Sequence, residues 1–258
     1  MYLDLLRAAL THTLYWPPDL ADVTSYVNEE FLDGVRAAIQ RRDFDPGRMR
    51  AEGQDWPRYA QTMVGSRRLE NVQQCVERVI ADDIPGDLIE AGVWRGGVGI
   101  LMRGVLKAYG IESRQVVLAD SFQGLPVPNP ELYPHDAGDR HHAAALLAVS
   151  RAEVERNFRM YDLLDDHVEF VEGWFSDTLP GLRERSWAIV RLDGDLYEST
   201  MDGLENVYDG LSVGGFVIID DYAFEPCKQA VADFRATRRI TEPIDAIDWT
   251  GAMWRRMS

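Results

Sequence analysis

Two pairs of carboxylates offer the plainest chemistry in this chain. Asp193-Gly-Asp195 follows the apolar run 187–192, and Asp220-Asp221 follows 216–219. Short apolar runs bounded by turn signals read as buried strands. Both pairs therefore stand at strand ends, and neighbouring strands bring them to one edge of a pocket. Three hard oxygen ligands with room for water suit Mg²⁺ or a similar cation. Without a cation such a cluster repels itself, and its pKa values rise. The competing reading makes these acids helix caps, Asp195 ahead of Ser199-Thr200 and Asp221 ahead of Pro226. A cap accounts for one acid in each pair, not two.

A glycine turn lies upstream. Residues 88–93 read as a strand, and Glu90-Ala-Gly92-Val-Trp94-Arg-Gly96-Gly97 leads into a helical period over 98–109. Strand, glycine turn and helix make a nucleotide pocket in α/β sheets, because glycines admit the ligand closely and free helix N–H groups point at it. The spacing is not the Gly-x-Gly-x-x-Gly of dinucleotide enzymes. An acid two residues before the first glycine is the pattern of S-adenosylmethionine (SAM) methyltransferases; a tight turn without a ligand is the alternative. Asp120 closes the next strand, where an acid accepts hydrogen bonds from ribose hydroxyls or caps the turn Ser121-Phe-Gln-Gly124. Gly173-Trp174-Phe175 would wall a base with aromatic faces or pack in the core. His135, His141 and His142 sit in the long polar connection 126–142. They are candidates for a base, a substrate clamp or a metal ligand, although adjacent histidines on an exposed loop are often inert.

The elements that hold these groups follow from periodicity. Residues 1–16 predict an amphipathic helix stopped by Pro17-Pro18, and 24–40 predict a second. The polar stretch 41–57 is long for a connection and is a candidate lid or a surface loop. Residues 59–81 predict one long helix. From residue 88, strands at 88–93, 116–119, 168–171, 187–192 and 216–219 alternate with helices at 98–109, 200–208 and 226–237. Residues 244–247 and 252–255 make a terminal antiparallel pair. The alternation implies an α/β fold with a doubly wound, mainly parallel sheet, whose ligands lie beyond the carboxyl ends of its strands. A helical cap and lid over 1–83 and a cofactor-binding core over 84–258 are expected.

Composition narrows the function. With 258 residues, 46% of them hydrophobic, the chain can build a full core. A net charge of −16 opposes binding to a nucleic-acid backbone and suits a cationic ligand such as a sulfonium. Cys75 and Cys227 read as buried reduced thiols. No apolar run approaches the ~20 residues of a membrane span, and no signal-peptide pattern opens the sequence, so a cytoplasmic protein without membrane contact is expected.

Together these residues resemble the macrocin O-methyltransferase (TylF-type) family, which methylates deoxysugar hydroxyls on macrolides, aminocoumarins and similar natural products. The matching strings are Thr62-Met-Val-Gly65, Arg68-Leu-Glu-Asn71, the glycine turn, Ala119-Asp-Ser-Phe-Gln-Gly124, Gly173-Trp-Phe175, Asp193-Gly-Asp-Leu-Tyr197 and Gly214-Gly-Phe-Val-Ile-Ile-Asp-Asp-Tyr222. The resemblance implies a Rossmann-like class I methyltransferase sheet with an N-terminal helical cap, using SAM and Mg²⁺. It implies Asp193, Asp220 and Asp221 as metal ligands, Asp193 also as the base, and a homodimer or larger assembly. Cofactor contacts would come from Thr62, Met63, Glu90, Gly92, Trp94, Gly96, Asp120, Ser121, Gly173, Trp174, Phe175 and Asp193. A glycosylated small-molecule acceptor would meet Glu29, Trp56, Met63, His135, His141, His142 and Tyr222.

The implied reaction is an in-line attack of a sugar oxygen on the SAM methyl group, in which the protein supplies alignment and proton removal. Catechol methyltransferases carry a lysine three residues after the first aspartate, where this chain has Leu196. That favours a carboxylate or histidine base acting on a sugar. An aromatic acceptor is the alternative, and a non-catalytic SAM-binding module is a third reading.

Overall fold

The computed structural model describes residues 1–15, 45–54 and 59–258. Glu29, Trp56 and the helix expected at 24–40 lie outside the described residues. Strands β1 (Asp87–Ala91), β2 (Val116–Asp120), β3 (Val168–Glu172), β4 (Trp187–Leu192), β5 (Leu211–Ile219), β6 (Asp245–Ala246) and β7 (Ala252–Arg255) form one sheet. Their order is β3-β2-β1-β4-β5-β7-β6. The first five run parallel, and β7 pairs antiparallel with both β5 and β6. Chain direction across the sheet reverses between β1 and β4, which opens a crevice beyond their carboxyl ends. Ala91 pairs with Leu192, and Leu192 with Ile219. Gly92, Asp193 and Asp220 therefore leave the sheet side by side.

The α-helices among the described residues are α1 (Tyr2–Leu10), α2 (Pro46–Glu52), α3 (Ser66–Ala81), α4 (Gly97–Ala108), α5 (Arg151–Met160), α6 (Phe175–Thr178), α7 (Tyr197–Val207) and α8 (Glu225–Arg238). Strand residues alternate between two cores, as a period of two requires. Leu88, Leu118 and Ile189 join α1, α3, α4 and α5 on one face. Ile89, Val117 and Val190 join α7 and α8 on the other. Cys75 and Cys227 are free and buried, and burial pushes both thiols up, to about 12 at Cys75. Among the described residues no helix is long and apolar enough to cross a membrane.

Several expected elements change. The first helix stops at Leu10 rather than near residue 16, because His12 takes a left-handed φ of 57° and a 3-10 turn follows at Thr13–Tyr15. The helix expected over 59–81 begins only at Ser66. Its forerunner is spent on other contacts: Gln61 N–H donates to Leu10 C=O, and Gln61 C=O accepts from Gly97 N–H, both within about 3.0 Å. Part of the stretch 41–57 is helical, since Asp45 caps α2 by accepting from Arg48 N–H and Gly53 ends it with a φ of 66°. Gly214 and Gly215 lie inside β5 rather than before it; Gly214 has a φ of 91° beside a register shift against β4.

Candidate active site

The charged centre is built around an arginine inside a strand. Arg191 of β4 is 1% exposed. Its guanidinium donates to Glu90 Oε1 at 2.8 Å, to Asp193 Oδ2 at 3.0 Å, and to Asp220 Oδ1. Arg68 of α3 donates to the other Asp220 oxygen and, at 2.8 Å, to Asp248 Oδ2. Both oxygens of Asp220 thus face guanidinium groups. Burial pushes the Asp220 carboxyl up, but Arg191 and Arg68 outweigh it and hold the group below the ordinary carboxylate range.

A second set of acids lies on the open side. Asp193, Asp195 and Asp221 each bring a carboxylate oxygen within 4.8 Å of the others. Burial, then neighbouring carboxylates, pushes Asp221 well up, and Asp221 Oδ2 lies buried with no hydrogen-bonding partner among the described residues. Burial and the Asp193 charge push Asp195 up to about 7. Burial and Asp220 raise Asp193 against the pull of Arg191. Six carboxylates (Glu90, Asp193, Asp195, Asp220, Asp221 and Asp248) share two guanidinium groups. Fully ionised, this centre carries four uncompensated negative charges, an excess that protons, in step with the raised values, or a bound cation would relieve.

The capping alternative fails. The carboxylate at the start of α7 belongs to Asp136, which accepts from Tyr197 N–H at 2.6 Å and Glu198 N–H at 3.1 Å. No side chain caps α8. Asp195 instead takes a φ of 56° in the turn between strand and helix.

Two cavities meet at these acids. The larger, about 410 Å³, takes in Met63, Gly92, Trp94, Asp120, Ser121, Trp174, Phe175, Asp193 and Asp195. Gly92 has a φ of 91°, and a Cβ there would collide with the Asp193 carbonyl oxygen, so only glycine lets β1 and β4 close at this point. Asp120 does cap the turn: its oxygens accept from Val93 N–H at 2.6 Å and Phe122 N–H at 2.7 Å. It also faces the cavity. Gly96 and Gly173 are absent from the lining. The side of Gly96 where a Cβ would sit meets Val154 and Phe158 of α5, and that of Gly173 meets Thr178.

The smaller cavity, about 140 Å³, shares Met63, Trp94, Asp193 and Asp195 with the first and adds Thr62, Glu90, His141, Asp220 and Asp221. Burial pushes the Glu90 carboxyl up to about 8, against the pull of Arg191.

The segment after β2 forms a roof. Gly124 to Val127 and Leu147 line the larger cavity, and Trp94 Nε1 fastens the roof by donating to Leu146 C=O at 2.9 Å. Of the three loop histidines only His141 reaches a cavity, with Nδ1 2.6 Å from Asp139 Oδ2. His135 stacks on Tyr197 at 5.1 Å and is exposed, away from both cavities, as is His142. Tyr222 packs against the core beneath α7 and α8 and lines neither cavity. Sequence reading missed Arg68, Arg191, Asp136 and Asp248. For Arg191 a signal existed: a charge inside Trp-Ala-Ile-Val-Arg-Leu must find buried partners.

A parallel sheet with acids gathered at its switch point admits several chemistries, and the whole-chain likeness selects among them. The sequence matches the family model described as Macrocin-O-methyltransferase (TylF) over residues 1–256. The chain belongs to that family. It is 49% identical over 256 residues to the 8-demethyl-8-(2,3-dimethoxy-alpha-L-rhamnosyl)-tetracenomycin-C 4'-O-methyltransferase of Streptomyces olivaceus, covering 99% of this chain and 92% of the relative. It is 47% identical to the demethyldecarbamoylnovobiocin O-methyltransferase of Streptomyces niveus, covering 99% and 93%. The solved structure of the O-methyltransferase NovP superposes with a TM-score of 0.87 at 46% identity, covering 100% of this chain and 98% of that one. This TylF-family chain is thus an O-methyltransferase with a Rossmann-like class I fold, and fold and family imply SAM as methyl donor.

Proposed function

We propose that this TylF-family enzyme methylates a deoxysugar hydroxyl of a glycosylated natural product, with SAM in the larger cavity, the sugar in the smaller, and a divalent cation at their junction. The observation that carries the proposal is the meeting of Asp193, Asp195 and Asp221 where the two cavities join. The residues fit a cation: hard oxygens converge, one buried oxygen of Asp221 has no partner, and the centre is over-supplied with negative charge.

SAM supplies a methyl group already activated on a sulfonium, and a divalent cation makes a chelated hydroxyl easier to deprotonate. The chain's own residues do the rest. Asp120, fixed by Val93 and Phe122 N–H groups, faces the larger cavity where ribose hydroxyls would lie, and Trp174 and Phe175 wall the adenine. Asp193 and Asp221 would hold the cation; the resemblance adds Asp220, whose oxygens here face Arg68 and Arg191 and which stands outside the converging set of Asp193, Asp195 and Asp221. The base is reassigned from Asp193 to Asp195. Arg191 donates to Asp193, whereas among the described residues no arginine donates to Asp195, which lines both cavities and is free to take a proton from the acceptor.

The acceptors of the two relatives, offered beside a catechol panel, test this reading. Methylation of a glycoside with loss of turnover in EDTA is the expected result. Methylation of catechols alone, or undiminished turnover in EDTA, would refute it. The dimer or larger assembly is read from light scattering.

A further inference from the structure

The smaller cavity has a rim and an orphaned hydroxyl that none of the roles above uses. Phe224, at the start of α8, and Trp249, in the β6–β7 turn, meet edge to face with ring centroids 6.2 Å apart. Both line the cavity, yet each keeps nearly half its surface exposed, 43% and 46%. Large aromatic rings left open beside a pocket mark a binding surface. Trp249 is also held in place, since its Nε1 donates to Glu52 C=O at 2.6 Å. Thr250, next in the chain, is 3% exposed and lines the same cavity, and its Oγ1 has no hydrogen-bonding partner among the described residues. A buried hydroxyl without a partner is costly, so a ligand that supplies one is favoured there.

Size assigns the parts. A cavity of about 140 Å³ compares with the roughly 150 Å³ that holds one benzene ring. It is sized for about one ring, so an aglycone of several rings extends to the rim. The rim is aromatic and the interior is polar, so the two ends of a glycoside are sorted by chemistry.

We infer that Phe224 and Trp249 form the aglycone platform of the acceptor site, while Thr250 hydrogen-bonds the sugar ring held inside. The inference rests on the sugar-acceptor reading and deepens it: selection among acceptors resides partly in an aromatic pair remote from the transferred methyl group. The platform is sequence-tolerant chemistry, requiring an apolar, preferably flat, group beside the glycosidic bond.

The test compares two ligands with one sugar. One is 8-demethyl-8-(2,3-dimethoxy-α-L-rhamnosyl)-tetracenomycin C, the acceptor that names a relative; the other is methyl 2,3-di-O-methyl-α-L-rhamnopyranoside, which lacks the aglycone. Binding is titrated calorimetrically to enzyme loaded with S-adenosylhomocysteine and Mg²⁺. Wild type is expected to favour the full glycoside by about thirtyfold or more, and the F224A/W249A double variant to shrink that ratio to about threefold or less. W249F, which keeps a ring but loses the Glu52 bond, should retain most of the preference; this separates platform from scaffold. T250V should weaken both ligands by about tenfold. S-adenosylhomocysteine affinity, measured for each variant, reports an intact fold. A wild type that binds neither ligand, or shows no preference, overturns the inference, as does a double variant that keeps the preference. If the preference holds while no acceptor is ever methylated, the catalytic reading fails and the platform stands.

Discussion

Asp220 and Asp221 are adjacent in sequence, both almost fully buried, and opposite in environment. Asp220 has a guanidinium on each oxygen, whereas Asp221 faces Asp193 and Asp195 and leaves one oxygen unpartnered. The consequence for their protons is equally opposite: Asp220 is held below the ordinary carboxylate range and Asp221 is pushed above it. Burial is common to both, so burial does not decide the charge state; the partners do. The strand end thus divides into a closed side, balanced by arginine, and an open side where carboxylates face one another.

The comparison breaks most severely at Arg191. R191M leaves Glu90, Asp193 and Asp220 buried without their shared donor, and removing one partner of a buried ion network costs about 3–5 kcal/mol. Urea unfolding should show that loss, and a change below about 1 kcal/mol would mean the closed side is not held by charge. Next come the carboxylates on either side. D195N should lower kcat by about 10²- to 10⁴-fold as the loss of a general base, with Mg²⁺ affinity little changed. D220N should weaken Mg²⁺ binding. The reverse pattern would exchange their roles, making Asp195 the third ligand.

Titration sharpens the contrast without mutation. On the open side the folded pKa lies above the ordinary value, reaching about 7 at Asp195. The native state therefore holds more protons than the unfolded chain across that window, and stability falls as pH rises through it. On the closed side Asp220 has a depressed folded pKa, so its contribution is present at neutral pH and is lost as acid approaches that value. In EDTA the melting temperature should fall between about pH 4 and 8, from the ordinary carboxyl value to the raised ones at Asp195 and Glu90. Mg²⁺ should flatten the decline. A slope insensitive to Mg²⁺ would place no cation on the open side.

The smallest effect is at Asp136, whose carboxylate is satisfied by backbone N–H groups and needs neither arginine nor metal. D136A removes the acceptor at the start of α7, at a cost of about 1 kcal/mol by analogy with lost helix caps. D136N should recover part of it, and kcat should suffer more than S-adenosylhomocysteine affinity because the strained turn at Asp195 adjoins that helix start. Equal losses in both would make Asp136 a stability residue only.

Much of this was legible before the structure. Apolar runs ending in acids gave four of the strand ends within a residue or two, because burial and a polar tip are both written locally. The glycine turn announced its own geometry. What stayed hidden depends on distant pairing. Arg68 and Asp220 lie 152 positions apart, and no local pattern couples them. Helix α5 went unread, although Ser150 caps it by accepting from Glu153 N–H. The extended segment before α3 was mistaken for helix because its backbone bonds go to Leu10 and Gly97, contacts that exist only in three dimensions. Among the loop histidines, type alone did not separate His141 from His135 and His142; position within the roof did.

The bond between Arg68 and Asp248 joins residues 180 positions apart. As the chain leaves the ribosome, every strand from β1 to β5 is made before Asp248 emerges. Arg68 then has Asp220 as its one hydrogen-bonded acid in this network, while the five parallel strands are already made and β7, which pairs with β5, is not. Closure of the centre is a late event tied to the hairpin that carries Asp248. The same hairpin carries Trp249 and Thr250, so the wall of the smaller cavity and the second acid of Arg68 arrive together.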